Sequence, residues 1–149
     1  MTVTLRQASL EDCDALAAMN RALAQDEGSR NPMALLALSE RMRHWLLGDW
    51  MGVLILIGEV VIGYALFQER RDEVQADHVE IYVRQFYIKP AFRSKGFGQE
   101  AFERMQVEYF PTGAHLVLDV LATNPGARRF WEKLGFRAYS ENLRLEKRG

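Results

Sequence analysis

From Glu80 to Glu100 the chain reads E-I-Y-V-R-Q-F-Y-I-K-P-A-F-R-S-K-G-F-G-Q-E, and this stretch restricts the fold more than any other. Val79 to Ile88 is rich in β-branched and aromatic residues and predicts a long strand. Pro90 breaks it, Gly96 and Gly98 follow, and Phe102, Met105 and Tyr109 then recur at helical spacing up to about Phe110. Pro111-Thr112-Gly113 stops that helix, and Ala114 to Leu121 (A-H-L-V-L-D-V-L) predicts a buried strand. A strand, a helix and a strand in that order require a parallel pair with a crossover helix. All-helical and purely antiparallel architectures are thereby excluded.

The flanking chain adds antiparallel structure. Val3 to Ala8 predicts a short first strand, and Ser9 caps a helix with Glu11 and Asp12 in its first turn. Leu16, Met19 and Leu23 give that helix its apolar face, and Asp26 to Pro32 reads as a loop. Leu35, Leu38, Met42, Trp45 and Leu46 predict a second helix ending near Gly48. Met51 to Ile57 and Val60 to Phe67 form a hairpin across Gly58-Glu59, where Gly at the first central position predicts a type II′ turn. The charged run Glu69 to Glu73 is expected to leave the sheet as a solvated turn. Asn124-Pro125-Gly126 opens a last helix with Ala127, Phe130, Trp131 and Leu134 on one face, Gly135 stops it, and Phe136 to Glu146 forms a terminal strand. The expected order is β-α-α-β-β-β-α-β-α-β. It describes a mixed α/β sheet, antiparallel at the front with a central parallel pair, in one domain over residues 1–149.

Composition removes several function classes. A net charge of −1 over 149 residues offers no global basic surface for nucleic acid. The lone Cys13 excludes an internal disulfide, and His44, His78 and His115 lack ligand spacing, so no metal site is expected. The N-terminal M-T-V-T-L-R-Q carries no apolar targeting region, and no apolar run reaches the ~20 residues of a membrane span. A cytoplasmic protein without a membrane partner is expected. Edge strands and exposed apolar faces permit a homodimer.

Gly96-Phe97-Gly98-Gln99-Glu100-Ala101 matches the dinucleotide pattern G-x-G-x-x-[GA]. Its context argues against that use. Seven residues, Pro90 among them, separate Ile88 from Gly96, and Asp119 lies within a strand pattern rather than at its end. The alternative parsing is R-x-x-G-x-G, with Arg93, Gly96 and Gly98 at the mouth of a helix. Glycines admit close backbone approach, and first-turn N–H groups face an anion with the positive end of the helix dipole behind them. Arg93 and Lys95 add cations. Such a turn suits a pyrophosphate; it is also compatible with a purely steric turn beside a solvated basic cluster.

F-Y-I-K-P-A-F-R-S-K-G-F-G resembles the signature strand and R-x-x-G-x-G loop of the GCN5-related N-acetyltransferases (GNAT family). N-P-G-A-R-R-F-W-E-K-L-G-F is similar to that family's second motif, N-x-x-A-x-x-[FL]-Y-x-x-x-G-F, and the opening R-Q-A-S-L-E-D-C-D-A-L is also typical. The resemblance covers essentially the whole chain and implies acetyl-CoA as co-substrate. Backbone groups of Phe86 and Ile88, beside Tyr87, would pair with the pantetheine arm. Amides from Ser94 through Lys95, Gly96 and Phe97 to Gly98, with Gln99, would hold the pyrophosphate, helped by Arg93 and Lys95. Asn124, Ala127 and Phe130 would flank the pantetheine and thioester.

The implied reaction is acetyl transfer to a primary amine by direct attack. The amine is expected to belong to a small molecule, with a protein N-terminus or lysine as rival acceptor. A sensor that binds acyl-CoA without turnover is the reading from another class. An alkyl amine must lose its proton before attack, which requires a base. Two features depart from relatives. Where the family often places a Tyr as acid, seven residues after the motif Asn, this chain has Trp131, so Tyr139, Tyr87, water or no acid at all would serve the thiolate. Relatives acting on polyamines carry paired carboxylates where this chain has Arg84-Gln85. Glu80 is the nearest carboxylate and the expected base. Glu27, Arg84, Gln85 and Trp131 are expected to line the acceptor site.

Overall fold

The computed structural model describes residues 2–28 and 33–149. The chain packs as two compact units, Met1–Asp119 and Val120–Gly149. The loop predicted over Asp26 to Pro32 falls in part outside the described residues. Its first residues do not: α1 (Cys13–Asp26) ends there, with Glu27 as its C-cap.

The first unit is built on a five-stranded sheet in the order β1-β2-β3-β4-β5, where β1 is Val3–Gln7, β2 Met51–Ile57, β3 Val60–Arg71, β4 Val79–Ile88 and β5 His115–Val117. Strands β1 to β4 are antiparallel neighbours, and β4 with β5 is the parallel pair. This sheet, with its single parallel pair, is not the doubly wound arrangement that a dinucleotide fold requires. Gly58 turns the β2–β3 hairpin at φ 61°, and Ile57 pairs with Val60 across it, as the two-residue glycine turn predicts.

Apolar side chains cover both sheet faces. On one face Leu54, Tyr64, Leu66 and Tyr87 pack with Leu16 and Met19 of α1 and Met42 of α2 (Leu35–Leu47). On the other, Val3, Ile55, Ile62 and Ile88 pack with Ala101 of α3 (Phe97–Tyr109), while Phe86 meets Phe102 edge-on at 5.9 Å. Asp12 ties the start of α1 to the sheet: its carboxylate accepts the Ser9 N–H at 2.8 Å and the Arg6 guanidinium at 3.1 Å. Ser9 itself precedes a short 3-10 turn, Leu10–Asp12, before α1 begins.

Three boundaries differ from the sequence expectation. β3 runs on to Arg71, so the charged run begins inside the sheet, where Arg70 stacks on Tyr82 at 4.2 Å. Ladder hydrogen bonds ignore side-chain charge at an exposed strand end; the chain turns only at Asp72, whose carboxylate accepts the Val74 N–H at 2.7 Å. β5 is shorter than Ala114–Leu121 because it pairs only with Glu80, Ile81 and Tyr82. The terminal strand expected over Phe136 to Glu146 has no counterpart within its own unit, where residues 137–149 carry no regular structure and no strand supplies a ladder partner.

That second unit is organised by α4 (Pro125–Lys133). Asn124 caps it, its side-chain oxygen accepting the Ala127 N–H at 3.1 Å, with Pro125 at the first helical position. It ends in a Schellman motif. Phe136 N–H donates to Trp131 C=O at 3.1 Å and Gly135 N–H to Glu132 C=O at 3.0 Å, with Gly135 at φ 104°. The apolar contact that accompanies this motif is Trp131 against Phe136, rings 5.4 Å apart.

Candidate active site

A register shift in β4 organises the site. Leu66 pairs with Gln85 but Phe67 pairs with Val83, so Arg84 is an extra residue bulged out of the ladder. The bulge reverses strand parity. Simple alternation would put Arg84 and Phe86 on one face. Instead Tyr82, Arg84, Gln85 and Tyr87 all serve the face covered by α1 and α2, while Val83, Phe86 and Ile88 serve the α3 face. No residue type announces this shift, which is why sequence reading misses it.

Beyond the bulge the β4 edge is open. Its ladder to β5 stops at Tyr82, so among the described residues no strand pairs with that edge from Val83 to Ile88. The chain then passes Pro90 into a tight turn where Ser94 takes φ 63° and Gly96 φ 82°, both left-handed. Gly96 is the N-cap of α3 and has no side chain to occupy the helix mouth, and Gly98 follows in the first turn. The first-turn acid Glu100 does not fill the mouth either: its carboxylate accepts the Val3 N–H at 2.6 Å, pinning α3 to β1. Ser94, Lys95, Gly96 and Gln99 are exposed, with Phe97 half-buried against the α3-side core. The Gln99 amide donates to Glu103 at 3.1 Å along the helix.

Arg93 is held more tightly than a loop cation needs to be. Its Nε donates to the Ile88 carbonyl at 2.7 Å, its Nη2 reaches Asp26 at 2.6 Å, and its guanidinium lies over the Tyr87 ring at 5.4 Å. It clasps the end of α1 to the end of β4, so its charge is shared with Asp26 before any ligand arrives.

The α1/α2 face carries a buried polar chain. The fully buried Tyr64 hydroxyl donates to Gln85 Oε1 at 2.7 Å. Burial, then the Glu27 carboxylate, pushes the Tyr64 phenol far above its ordinary pKa, while a hydrogen bond from Asn20 acts the other way. The phenol therefore stays neutral and a donor. Glu27 is raised as well, first by burial and then by the neighbouring Asp26. Arg41 Nη2 donates to Asn20 at 3.0 Å, extending the chain to α2.

Glu80 stands at the opposite end of β4, across from Arg70 on β3 and His115 on β5. It lies six positions before Phe86, about 20 Å of extended strand. Asp119, following β5, accepts the Tyr82 hydroxyl at 2.6 Å. Of the residues expected at the site, Asn124, Ala127, Phe130, Trp131 and Tyr139 belong to the second unit. There Asn124 caps α4, Trp131 is buried between Phe130 and Phe136, and Tyr139 is fully exposed. The residues that sequence reading missed are Tyr64, Asn20, Arg41 and Trp45, all on elements remote in sequence from the glycine motif.

The sequence pattern of the Acetyltransferase (GNAT) family matches residues 16–136, well over half of the chain. Comparison with curated proteins gave no match. Solved structures share the fold at low identity. A possible acetyltransferase from Clostridium difficile 630 superposes with a TM-score of 0.79 at 16% identity, covering 99% of this chain and 98% of that one. A predicted acetyltransferase from Clostridium acetobutylicum, crystallised with acetyl-CoA, gives 0.75 at 18%, with 97% and 96% covered. A ribosomal-protein-alanine N-acetyltransferase from Brucella melitensis gives 0.74 at 16%, with 98% and 100% covered. The bulged, one-sidedly open strand, the glycine turn at a helix mouth and the family match over residues 16–136 agree: the chain belongs to the GNAT family of acetyltransferases.

Proposed function

We propose that this protein transfers an acetyl group from acetyl-CoA to a primary amine of a small molecule, by direct attack while both are bound. The observation that carries the reading is the open β4 edge from Val83 to Ile88, which runs into the left-handed turn at Ser94 and Gly96 and the mouth of α3. An arm containing two amides is satisfied by strand-edge N–H and C=O groups, and a pyrophosphate by helix N-terminal amides. The residues fit this ligand, because no side chain caps the helix mouth and Glu100 is committed to Val3. Lys95 supplies a cation there; Arg93 acts by holding the turn against β4 and α1.

Bound acetyl-CoA supplies an activated acyl carbonyl. The chain's part is to free the amine and receive developing negative charge. Backbone groups at the Arg84 bulge are released from the ladder and can donate to the carbonyl oxygen. Glu27 is the proposed base in place of Glu80: it lies by Tyr64, which bonds Gln85, whereas Glu80 is about 20 Å along the strand from Phe86. Desolvation raises Glu27 toward the operating pH, where a carboxylate is a more effective base. The departing thiol, with an ordinary pKa of about 8.5, needs little help from an acid. Trp131 in the position of a Tyr is compatible with that.

Thiol release from acetyl-CoA against a panel of amines tests the reading. Binding of NADH without binding of acetyl-CoA would sink it, and tight acetyl-CoA binding with no turnover on any amine would leave a sensor. Glu27→Gln should lower kcat/KM about 10²- to 10⁴-fold at neutral pH and remove the acid limb of the pH–rate profile. Glu80→Gln should leave both within twofold of wild type. The reverse pattern returns the base to Glu80.

A further inference from the structure

Two arginines from different elements share one tryptophan beside the bulge. Arg41 of α2 lies 4.5 Å from the Trp45 ring centre and Arg84 lies 4.8 Å from it, with Trp50 5.6 Å from Arg84. Neither arginine forms an ion pair with a carboxylate among the described residues. The nearby Asp119 is bound by the Tyr82 hydroxyl. Arg41 Nε is buried and has no hydrogen-bond partner, although Arg41 Nη2 is held by Asn20. Burial, followed by the Arg84 charge, makes the Arg41 cation less stable than an ordinary guanidinium.

Stacking on Trp45 stabilises each cation, but two costs oppose it. Like charges held together repel, and an unpaired buried donor costs free energy. The bulge is what places Arg84 there: without it, parity would carry that side chain away from Gln85. From Arg41 the bonds run through Asn20 to Tyr64 and Gln85, the groups placed above beside the amine. Guanidinium donors suit a planar carboxylate, and the flat Trp45 ring keeps them in one orientation.

We propose that Arg41 and Arg84, set around Trp45, form an anion subsite that binds a carboxylate of the acceptor, so that the substrate class is amines bearing a carboxylate, such as amino acids or short peptides. This deepens the acetyl-transfer reading and rests on it: the amine is held near Glu27 and the carboxylate at the arginine pair. It also accounts for Arg84-Gln85 on a strand where a polycationic acceptor would be repelled.

The test separates the subsite from the reaction. N-acetylalanine and N-acetylalaninamide, a product-like acid and its neutral partner, are titrated into the protein with and without CoA, following tryptophan fluorescence. The acid should bind about 10- to 100-fold tighter than the amide, and the difference should vanish in Arg84→Gln and Arg41→Met. Arg84 is exposed, so Arg84→Gln should melt like wild type, and acetyl-CoA affinity should be unchanged in it. Arg84→Glu should shift turnover toward acceptors with an extra cation. Equal binding of acid and amide, or undiminished acid binding in Arg84→Gln, overturns the subsite. Inorganic phosphate displacing the acid at lower concentration would overturn the carboxylate in favour of a phosphate-bearing acceptor. Failure of wild type to bind acetyl-CoA would overturn acetyl transfer, while the acid–amide comparison still decides the subsite.

Discussion

At Gly63, β3 and β4 approach too closely to admit a Cβ. A Cβ on it would lie 2.0 Å from the Tyr87 carbonyl oxygen and 3.1 Å from Ile88 Cα. Both are backbone atoms in the segment that presents the open edge, so they cannot swing aside as a side chain would. Gly63→Ala should therefore destabilise the protein by about 1–3 kcal/mol, through forced separation of the strands. The same displacement moves Tyr87 and Ile88, so acetyl-CoA affinity should fall in step with stability. A thermal melt and a binding isotherm on one preparation check this; an unchanged melt would mean that β3 and β4 are not so close. Ser94 is the complementary case. Its left-handed backbone is expensive for a residue with a Cβ, and such strain persists where the surroundings over-determine it, here between the clasp of Arg93 and the glycine cap of α3.

Among the elements, the β1–α1 corner carries a definite pH dependence. Burial alone would raise the Asp12 carboxyl, but hydrogen bonds from Arg6 and the Ser9 amide outweigh it and hold it below the usual range. A carboxyl lowered by folding contributes stability above its unfolded pKa and loses it as the pH falls through the folded value. Asp12→Asn should cost about 1 kcal/mol at pH 7, and the gap to wild type should narrow as the pH falls below about 4. Melting temperatures of both proteins from pH 7 to 3 measure it, and a gap constant across that range would refute the assignment. The helices and the hairpin were legible from local chemistry: periodic Leu and Met, Asn124-Pro125 opening α4, Gly58 turning β2 into β3. The bulge at Arg84 was not, because it exists only as a mismatch between two strands whose pairing is set by Tyr64, Leu66 and Phe67 on the partner. The terminal alternation from Phe136 to Glu146 is a related case: period two describes a strand only where a ladder partner exists, and its own unit holds none.

At the scale of the whole molecule, cofactor and acceptor were unequally readable. The proposed cofactor half is contiguous, Phe86 to Gln99, and its chemistry is mostly backbone, so glycines and a proline at set spacing suggest it from sequence. The proposed acceptor half is assembled from α1, α2, β3 and β4, and Tyr64, Asn20 and Arg41 acquire meaning only when folding brings them together. Saturating acetyl-CoA at a hundred times its dissociation constant should stabilise the protein by about 2.7 kcal/mol, a rise in melting temperature of about 5–10 °C. Gly98→Trp, placing a large side chain in the first turn of α3, should remove that rise while altering the ligand-free melt little. A persistent rise would place the ligand elsewhere. No helix among the described residues is long and apolar enough to cross a membrane.

The extra residue in β4 also has a consequence for how the gene can change. Removing one residue between Tyr82 and Gln85 would return the strand to unbroken alternation. Arg84 and Gln85 could then no longer both face α2, and the Trp45 stack or the bond to Tyr64 would be lost. A point substitution there exchanges one side chain, whereas a single-codon deletion rewires a whole face. The length of this strand, as much as its spelling, is thus a heritable part of the proposed acceptor site.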